Sequence, residues 1–409
     1  MEFVADFHIH SRYSRATSES MNLGELARWA KLKGISLMGT GDFTHPMWFM
    51  ELKKNLKQAS GGLYEHNGIN FILTCEVFNN FYVNGKSKRI HNIIFAPDME
   101  TAEKLNKRFG EYGDLVSDGR PILNLSAADL VKICLDVSAG CLIVPAHAWT
   151  PHFSIFGSNS GFNNVEECFG DEAKNIFCLE TGLSSDPAMN WRLSKLDKYT
   201  LISNSDSHSP HRIGREANVF DCVLDYKEII ESIKSKDKKK FLYTVEFFPE
   251  EGKYHYDGHR NCKARVAPKD AIKNRNLCPV CGKKVTVGVM HRVEDLADRQ
   301  DGVVPDNSIP FKHMIPLDQI IADARGVGET SVSVEREYTG LVNKCGSEFN
   351  ILLKMSEDEL KSQLPDKIAE GVIRVRKGKV SILPGYDGEY GKIKIFDEDE
   401  MREKQLTLF

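Results

Sequence analysis

Short apolar runs and amphipathic segments alternate through the first 230 residues of the chain. The runs predict eight strands, at 3–10, 35–42, 70–78, 89–96, 141–147, 175–181, 200–206 and 216–221. Between these strands, apolar residues recur at helical spacing. The clearest helices are predicted at 22–33, 186–195 and 225–236, and a further helix begins after the cap residue Ser126. This alternation predicts a parallel α/β sheet that closes, or nearly closes, into a barrel.

The sequence changes character beyond residue 235. We predict a barrel domain at 1–235, a small zinc-binding basic domain at 240–300, a C-terminal, nucleic-acid-associated α+β region at 301–396 and a flexible tail at 397–409. Within the C-terminal region the pattern predicts helices at 317–325 and 356–364, and strand-like runs at 371–376, 379–383 and 391–396.

The first strand carries an unusual row of ionisable side chains. Alternation in Phe-Val-Ala-Asp-Phe-His-Ile-His places Asp6, His8 and His10 on one face. Two histidines and an aspartate in one row are costly to bury unless a ligand uses them. Imidazole and carboxylate together suit zinc, manganese or iron, so this strand predicts a metal site.

Later strands repeat the pattern, mostly at their carboxyl ends. The polar residues placed there are Asp42, His45, Glu76, His91, His147, Glu180, Asp206 and His208. Active sites of α/β barrels are built at this rim. Helix caps would explain Asp42 or Asp206 but not the matching histidines, and the set therefore predicts a site for several metal ions.

These motifs resemble those of the PHP (polymerase and histidinol phosphatase) superfamily. The resemblance rests on the run from Asp6 to Ser11, on single residues at 76, 91 and 147, and on Ser-Asp-Ser-His at 205–208. It implies a distorted (β/α)7 barrel that hydrolyses phosphoesters with two or three divalent metals (Zn, Mn, Mg or Fe). By motif order the implied ligands are His8, His10, Glu76, His91, His147, Asp206 and His208.

Two positions depart from the PHP pattern. Arg15 lies where many members have a further His or Asp ligand, and Phe43 lies where many have a histidine after the aspartate. Asp42 and His45 are the two candidate substitutes for the missing histidine ligand. Whether a third metal ion binds is left open.

Charge is distributed unevenly along the chain. The formal net charge is −4, yet ten Lys and Arg against two Asp give residues 252–293 a charge of +8 and leave −12 for the rest. A basic patch on an acidic protein indicates a polyanionic partner at one face. The chain shows no apolar run of 18 residues and no N-terminal signal pattern, so we expect a cytoplasmic, nucleoid-associated protein with no membrane partner.

Cysteines are grouped only within the basic segment. Cys278-x2-Cys281-Gly has the spacing of a zinc knuckle, and His259-x2-Cys262 matches it. We predict one structural zinc held by His259, Cys262, Cys278 and Cys281, with His255 as the competing first ligand. A redox role is disfavoured because no thioredoxin-like βαβ pattern surrounds the cysteines.

The end of the chain resembles a bacterial sliding-clamp-binding peptide. Gln405 would set the register, while Leu406, Leu408 and Phe409 would fill an apolar groove. The sequence therefore predicts the DNA sliding clamp as a partner.

Several longer runs resemble the endonuclease Q family of DNA-repair enzymes. They are HIHSRYSRATS at 8–18, GTGDFTHP at 39–46 and the zinc region from 253 to 281. The resemblance implies hydrolysis of DNA 5′ of uracil, hypoxanthine, xanthine and abasic sites. Glu76 and Asp206 would act through metal-activated water, and Arg12 and Arg15 either hold the phosphate or form surface ion pairs.

Two other functions compete with this reading. A small-molecule phosphatase of the histidinol-phosphatase kind has no need for the zinc knuckle, the basic segment or the clamp-like tail. A DNA-binding scaffold with a degenerate metal site would lack ligands, yet nearly all are present.

Overall fold

Strands and helices alternate through residues 1–235 of the computed structural model, which describes residues 1–159 and 161–397. The strands are β1 (Glu2–Asp6), β2 (Leu37–Gly39), β3 (Lys57–Gln58), β4 (Tyr64–His66), β5 (Ile69–Val83), β6 (Lys86–Ala96), β7 (Ile122–Leu123), β8 (Leu142–Pro145), β9 (Cys178–Glu180), β10 (Thr200–Ile202) and β11 (Ala217–Asp221). The helices are α1 (Leu23–Lys33), α2 (Pro46–Asn55), α3 (Met99–Phe109), α4 (Ala127–Val137), α5 (Val165–Phe169), α6 (Pro187–Asn190) and α7 (Tyr226–Ser235).

Seven of these strands form a closed ring. β1 pairs with β2, β2 with β5, β5 with β6 and β6 with β8. A hydrogen bond from Ala148 N to Glu180 O (2.9 Å) connects β8 to β9, which pairs with β10. The ring closes where Ile9 bridges Ser207, just past β1 and β10. The predicted distorted seven-stranded barrel is therefore confirmed.

The expectation of an all-parallel sheet is wrong for β11, which pairs antiparallel with β1 outside the ring, and for one strand of the ring itself. β6 runs antiparallel to both β5 and β8. The cause is the Asn84-Gly85 turn, whose φ angles of 51° and 75° give the backbone twist of a tight two-residue hairpin. The hairpin places Glu76 on β5 and His91 on β6 in neighbouring strands.

Apolar side chains fill the ring at one end. Phe7, Ile93, Phe95, Val144 and Ile202 belong to one buried cluster, and the rings of Phe7 and Phe95 lie 5.3 Å apart. The helices pack against the outside of the strands, where Leu26, Trp48, Leu105 and Leu130 are fully buried. The ionisable residues occupy the other end of the ring.

Helix α1 follows its sequence signals, whereas the helix predicted at 186–195 does not. Asn22 caps α1 by accepting from Glu25 N, and Gly34 ends it at φ 88°. After Asp186, α6 makes a single turn to Asn190, and a short 3-10 helix follows at Ser194–Leu196.

The remaining strands either extend the main sheet or form two separate two-stranded sheets. They are the strands β12 (Phe241–Glu246), β13 (Asp257–His259), β14 (Ala264–Val266), β15 (Phe311–His313), β16 (Ser381–Leu383) and β17 (Lys392–Lys394). The helices are α8 (Pro268–Lys273), α9 (Val289–Leu296), α10 (Leu317–Arg325), α11 (Val332–Cys345), α12 (Glu357–Gln363) and α13 (Asp366–Arg376). The domain boundaries drawn from the sequence stay a prediction.

The strand predicted at 371–376 is wrong, because these residues belong to helix α13. Its buried residues Ile368, Val372 and Val375 recur at helical spacing. Gly371 lets α13 approach α10, since a Cβ there would lie 2.8 Å from Ile320 Cγ2. Tertiary packing thus overrides the β-branched composition of the segment.

Two further expectations from the sequence concern membrane-spanning segments and the end of the chain. No helix among the described residues is long and apolar enough to cross a membrane. The predicted clamp-binding residues Gln405, Leu406, Leu408 and Phe409 lie outside the described residues.

Candidate metal centre

Four side chains from three parts of the ring converge at its polar end. His8 and His10 follow β1, Glu76 lies on β5 and Asp206 follows β10. His10 Nε2 lies 3.2 Å from Glu76 Oε2 and 3.1 Å from Asp206 Oδ1. His8 Nε2 lies 3.6 Å and 3.7 Å from the same two oxygens. Two imidazoles and two carboxylates thus surround one point.

A second group shares Glu76 with the first. Glu76 Oε1 lies 2.6 Å from His91 Nδ1 and 3.1 Å from His147 Nε2. The carboxylate therefore directs one oxygen at each group, which is the geometry of a ligand that bridges two ions.

An orphaned nitrogen shows that these residues fit a metal ion. His8 Nε2 is buried and makes no hydrogen bond to any described residue, although it faces carboxylate oxygens of Glu76 and Asp206. A buried polar atom without a partner is costly, and a divalent cation satisfies the lone pair of a neutral imidazole. The mixed nitrogen and oxygen donor set suits zinc, manganese or iron.

Two further carboxylates orient the histidine rings from behind. Glu180 Oε1 lies 3.0 Å from His8 Nδ1, and its other oxygen accepts from His147 N at 2.7 Å. Asp42 Oδ1 lies 3.0 Å from His10 Nδ1. A carboxylate on Nδ1 fixes the tautomer that leaves Nε2 free to bind a metal.

Hydrogen bonds occupy both oxygens of Asp42. Oδ1 faces His10, while Oδ2 accepts from Ser11 N, Ser11 Oγ and Ser14 Oγ at 2.6, 2.7 and 2.9 Å. The structure thus places this candidate ligand behind His10. Glu180 was visible in the sequence as a polar residue at a strand end, but nothing there indicated that it orients His8.

The backbone turns sharply at three residues of the site. Asp42, His147 and Asp206 have φ angles of 47°, 32° and 46°. Residues other than glycine seldom adopt such angles, and they are concentrated at functional sites. Each follows the end of a ring strand, and the turn redirects its side chain.

An arginine that the sequence did not single out contacts the centre. Arg120 Nη1 lies 3.1 Å from Glu76 Oε2, and the side chain is 26% exposed. Burial alone would raise the pKa of Glu76, but the neighbouring imidazoles and this guanidinium hold it well below its usual range. Burial lowers the pKa of His91 to about 4. Glu76 is therefore ionised near pH 7, which is the form that binds metal.

Besides Asp42, four candidate residues lie outside the two groups. His45 Nε2 donates to Val116 O at 3.0 Å, and its ring stacks on Tyr13. The His208 ring lies 4.5 Å from that of His10 and is partly exposed. Arg12 pairs with Glu51 at 2.5 Å, and Arg15, 77% exposed, lies 3.5 Å from Asp118. The functional roles of these four residues stay predictions.

The grouped cysteines converge as well. His259 Nδ1 lies 3.1 Å from Cys262 Sγ and 3.4 Å from Cys281 Sγ, and with Cys278 the four donor atoms lie within 4.8 Å of one another. Four closed donors match a structural zinc. Burial opposes ionisation of Cys278, but backbone N–H groups of the knuckle lower its pKa to about 6. His255 lies outside this group, stacked on Tyr256.

Sequence comparisons show which known proteins this chain is similar to. A family model described as the MJ0043 C-terminal domain matches residues 316–379. The uncharacterized protein YqxK of Bacillus subtilis is 28% identical over 413 residues, covering 96% of this chain and 99% of its own. The uncharacterized protein MJ0043 of Methanocaldococcus jannaschii is 34% identical over 270 residues, or 64% of this chain and 33% of that protein.

Solved structures extend the likeness to the whole chain. The lesion-specific endonuclease PfuEndoQ from Pyrococcus furiosus superposes with a TM-score of 0.87 at 32% identity, covering 100% of this chain and 99% of its own. A complex of endonuclease Q with a 27-mer duplex substrate, which carries an abasic lesion at the active site, gives a TM-score of 0.85 at 33% identity and covers 98% of each chain.

Proposed function

The chain belongs to the endonuclease Q family of metal-dependent DNA endonucleases, and we propose that it cuts DNA on the 5′ side of deaminated bases and abasic sites. The observation that carries the chemistry is the bridging position of Glu76, with one oxygen at each of two ligand groups. The targets are uracil, hypoxanthine, xanthine and abasic sites. Support for the last comes from the relative whose duplex carries an abasic lesion.

The side chains of the site have different roles in the proposed hydrolysis. His8, His10 and Asp206 would hold one ion, His91 and His147 a second, and Glu76 both. Divalent ions held by these residues would supply hydroxide at neutral pH and neutralise the phosphate oxygens. Glu180 and Asp42 keep the rings of His8 and His10 in place. The resulting ends are a 3′-hydroxyl and a 5′-phosphate.

Arg120 is suited to the phosphate itself. One guanidinium nitrogen contacts Glu76, and the side chain is partly exposed at the centre. Its other N–H groups can donate to a non-bridging phosphate oxygen, since the guanidinium presents five donors in a rigid fork. Arg120 would thus position both the bridging carboxylate and the substrate.

The basic segment gives the duplex a surface to bind. Its exposed cations are Lys253, Arg260, Lys263, Lys269, Lys273, Arg275, Lys283 and Lys284. Contacts between such side chains and phosphates supply affinity that does not depend on sequence. The proposed zinc at His259, Cys262, Cys278 and Cys281 would hold this surface together.

Replacement of Glu76 by Gln tests the proposed chemistry. End-labelled duplexes with one deoxyuridine, one hypoxanthine, one abasic site or no lesion are incubated with Mn²⁺ or Mg²⁺, with a chelator control. We expect one metal-dependent cut 5′ of each lesion, slowed about 10³-fold or more by Glu76→Gln because both ions lose a ligand.

The matched control is Glu231→Gln on the exposed face of α7, which should cut at the wild-type rate. Hydrolysis of small phosphate esters by the wild type without cutting of any duplex would contradict the proposal and favour the small-molecule phosphatase.

Variants of Arg120 and Arg15 compare an arginine that only the structure identified with one that the sequence indicated. We expect Arg120→Ala to lower kcat/KM for cleavage about 10²-fold, as for loss of a donor to developing charge. Arg15→Ala, which removes an exposed ion pair, should change it about twofold or less. Equal losses in the two variants would contradict the assignment of Arg120.

We further propose that Gln405, Leu406, Leu408 and Phe409 bind the sliding clamp. Deletion of residues 405–409 should abolish capture by an immobilised clamp and leave cutting of lesion duplexes unchanged. Undiminished capture after the deletion would contradict this proposal.

A further inference from the structure

Asp6 lies in the same row of the first strand as His8 and His10, yet it belongs to neither of the two ligand groups that the described residues form. It is the last residue of β1, and its side chain is fully buried. A carboxylate that is removed from water is costly unless hydrogen-bond donors compensate it. The partners of Asp6 therefore indicate its role.

The carboxylate of Asp6 accepts three hydrogen bonds from the segment that carries the candidate ligand Asp206. Ser205 N donates to Oδ1 at 3.1 Å, and Ser205 Oγ donates to Oδ2 at 2.6 Å. Gly214 N donates to Oδ2 at 2.9 Å. Asp6 thus contacts the chain on both sides of Asp206 and holds residues 205–214 together as a loop.

Two further contacts hold the backbone around Asp206. Arg215 Nε donates to Ser205 O at 2.9 Å, so the carbonyl of Ser205 is fixed as well as its N–H and hydroxyl groups. On the other side of Asp206, His10 N donates to Ser207 O at 2.9 Å. The backbone is therefore attached to the ring immediately before and immediately after Asp206.

Asp206 depends on this support because its own backbone conformation is unfavourable. Its φ of 46° lies in the left-handed region, which residues other than glycine seldom adopt. Such a conformation persists only where the surrounding structure determines it. In this conformation Asp206 Oδ1 lies 3.1 Å from His10 Nε2, within the first ligand group. The contacts that hold the loop therefore also set the position of a candidate metal ligand.

We propose that Asp6 is a positioning residue, which fixes the place of Asp206 and so sets the affinity for the ion at the first ligand group. The inference rests on the proposed function, in which His8, His10 and Asp206 hold that ion together. Asp6 acts through the loop, since hydrogen bonds from the loop occupy both of its oxygens. Replacing a residue that orients a metal ligand typically changes metal affinity or activity about 10–100-fold. The effect should be confined to one of the two ions.

Replacement of Asp6 by Asn tests the proposal through metal binding itself. Mn²⁺ is titrated into the protein, with the proposed cysteine site already filled by zinc, and free Mn²⁺ is measured by electron paramagnetic resonance. Asparagine keeps the shape but turns an N–H group toward donors of the loop, so at least one hydrogen bond is lost. We expect the affinity for one of the two ions to fall about tenfold or more, and that for the other to change about twofold or less.

A double-mutant cycle identifies the affected ion. Asp206→Asn should weaken binding of the same ion, and Asp6→Asn added to it should cause little further loss, because Asp6 acts through Asp206. Ser205→Ala removes only the hydroxyl contact with Asp6 and should give a smaller loss at the same ion. This milder variant keeps the test decisive if Asp6→Asn does not fold.

Ile230→Val, at a buried position of α7, is the control for general destabilisation. Its thermal midpoint should fall, whereas both of its Mn²⁺ affinities should match the wild type. Equal weakening of both ions in Asp6→Asn, or no weakening of either, would overturn the positioning role and leave the proposed endonuclease activity standing. A wild type that bound Mn²⁺ at fewer than two sites in the ring would instead overturn the two-ion arrangement of the proposed function.

Discussion

Burial of the Glu76 carboxylate is the constraint on which the rest of the structure depends. The side chain is almost completely inaccessible, and Asp206 lies close by. Removing a carboxylate from water costs several kcal/mol, so a buried acidic group persists only among compensating charges and donors. Arg120 supplies one such charge, and four histidines supply nitrogens on two sides. This balance favours a site that takes up divalent cations.

The ring of strands brings residues that are distant in the sequence together around Glu76. The tight β5–β6 hairpin sets Glu76 beside His91, and the closure between Ile9 and Ser207 brings His8 and His10 to Asp206. Behind them, Glu180 and Asp42 fix the imidazole tautomers. Arg292 of helix α9, in the basic segment, donates to Phe162 O at 3.0 Å and connects that segment to the loop that follows His147. The candidate metal ligands, the loop after His147 and the basic segment are thus parts of one arrangement.

The sequence indicated the ring and most of its candidate ligands because those residues lie at the ends of apolar runs. It also contained the Asn84-Gly85 turn, a strong hairpin signal that the expectation of a parallel sheet passed over. Arg120 lies in a loop without periodic pattern, so only the folded chain shows that it reaches Glu76. The orienting role of Glu180 depends in the same way on contacts across 172 residues. At 371–376, β-branched residues suggested a strand, but packing of Gly371 on Ile320 makes a helix.

The most direct test of the central claim is whether Glu76 joins two ions in one site. We would load the protein with two equivalents of Mn²⁺ at the centre, with the proposed cysteine site already filled by zinc, and record its electron paramagnetic resonance spectrum. The structure predicts an exchange-coupled manganese pair, because one carboxylate contacts both ligand groups, and loss of the coupling in Glu76→Gln. A spectrum of isolated, uncoupled ions from the wild type at the same loading would contradict the account.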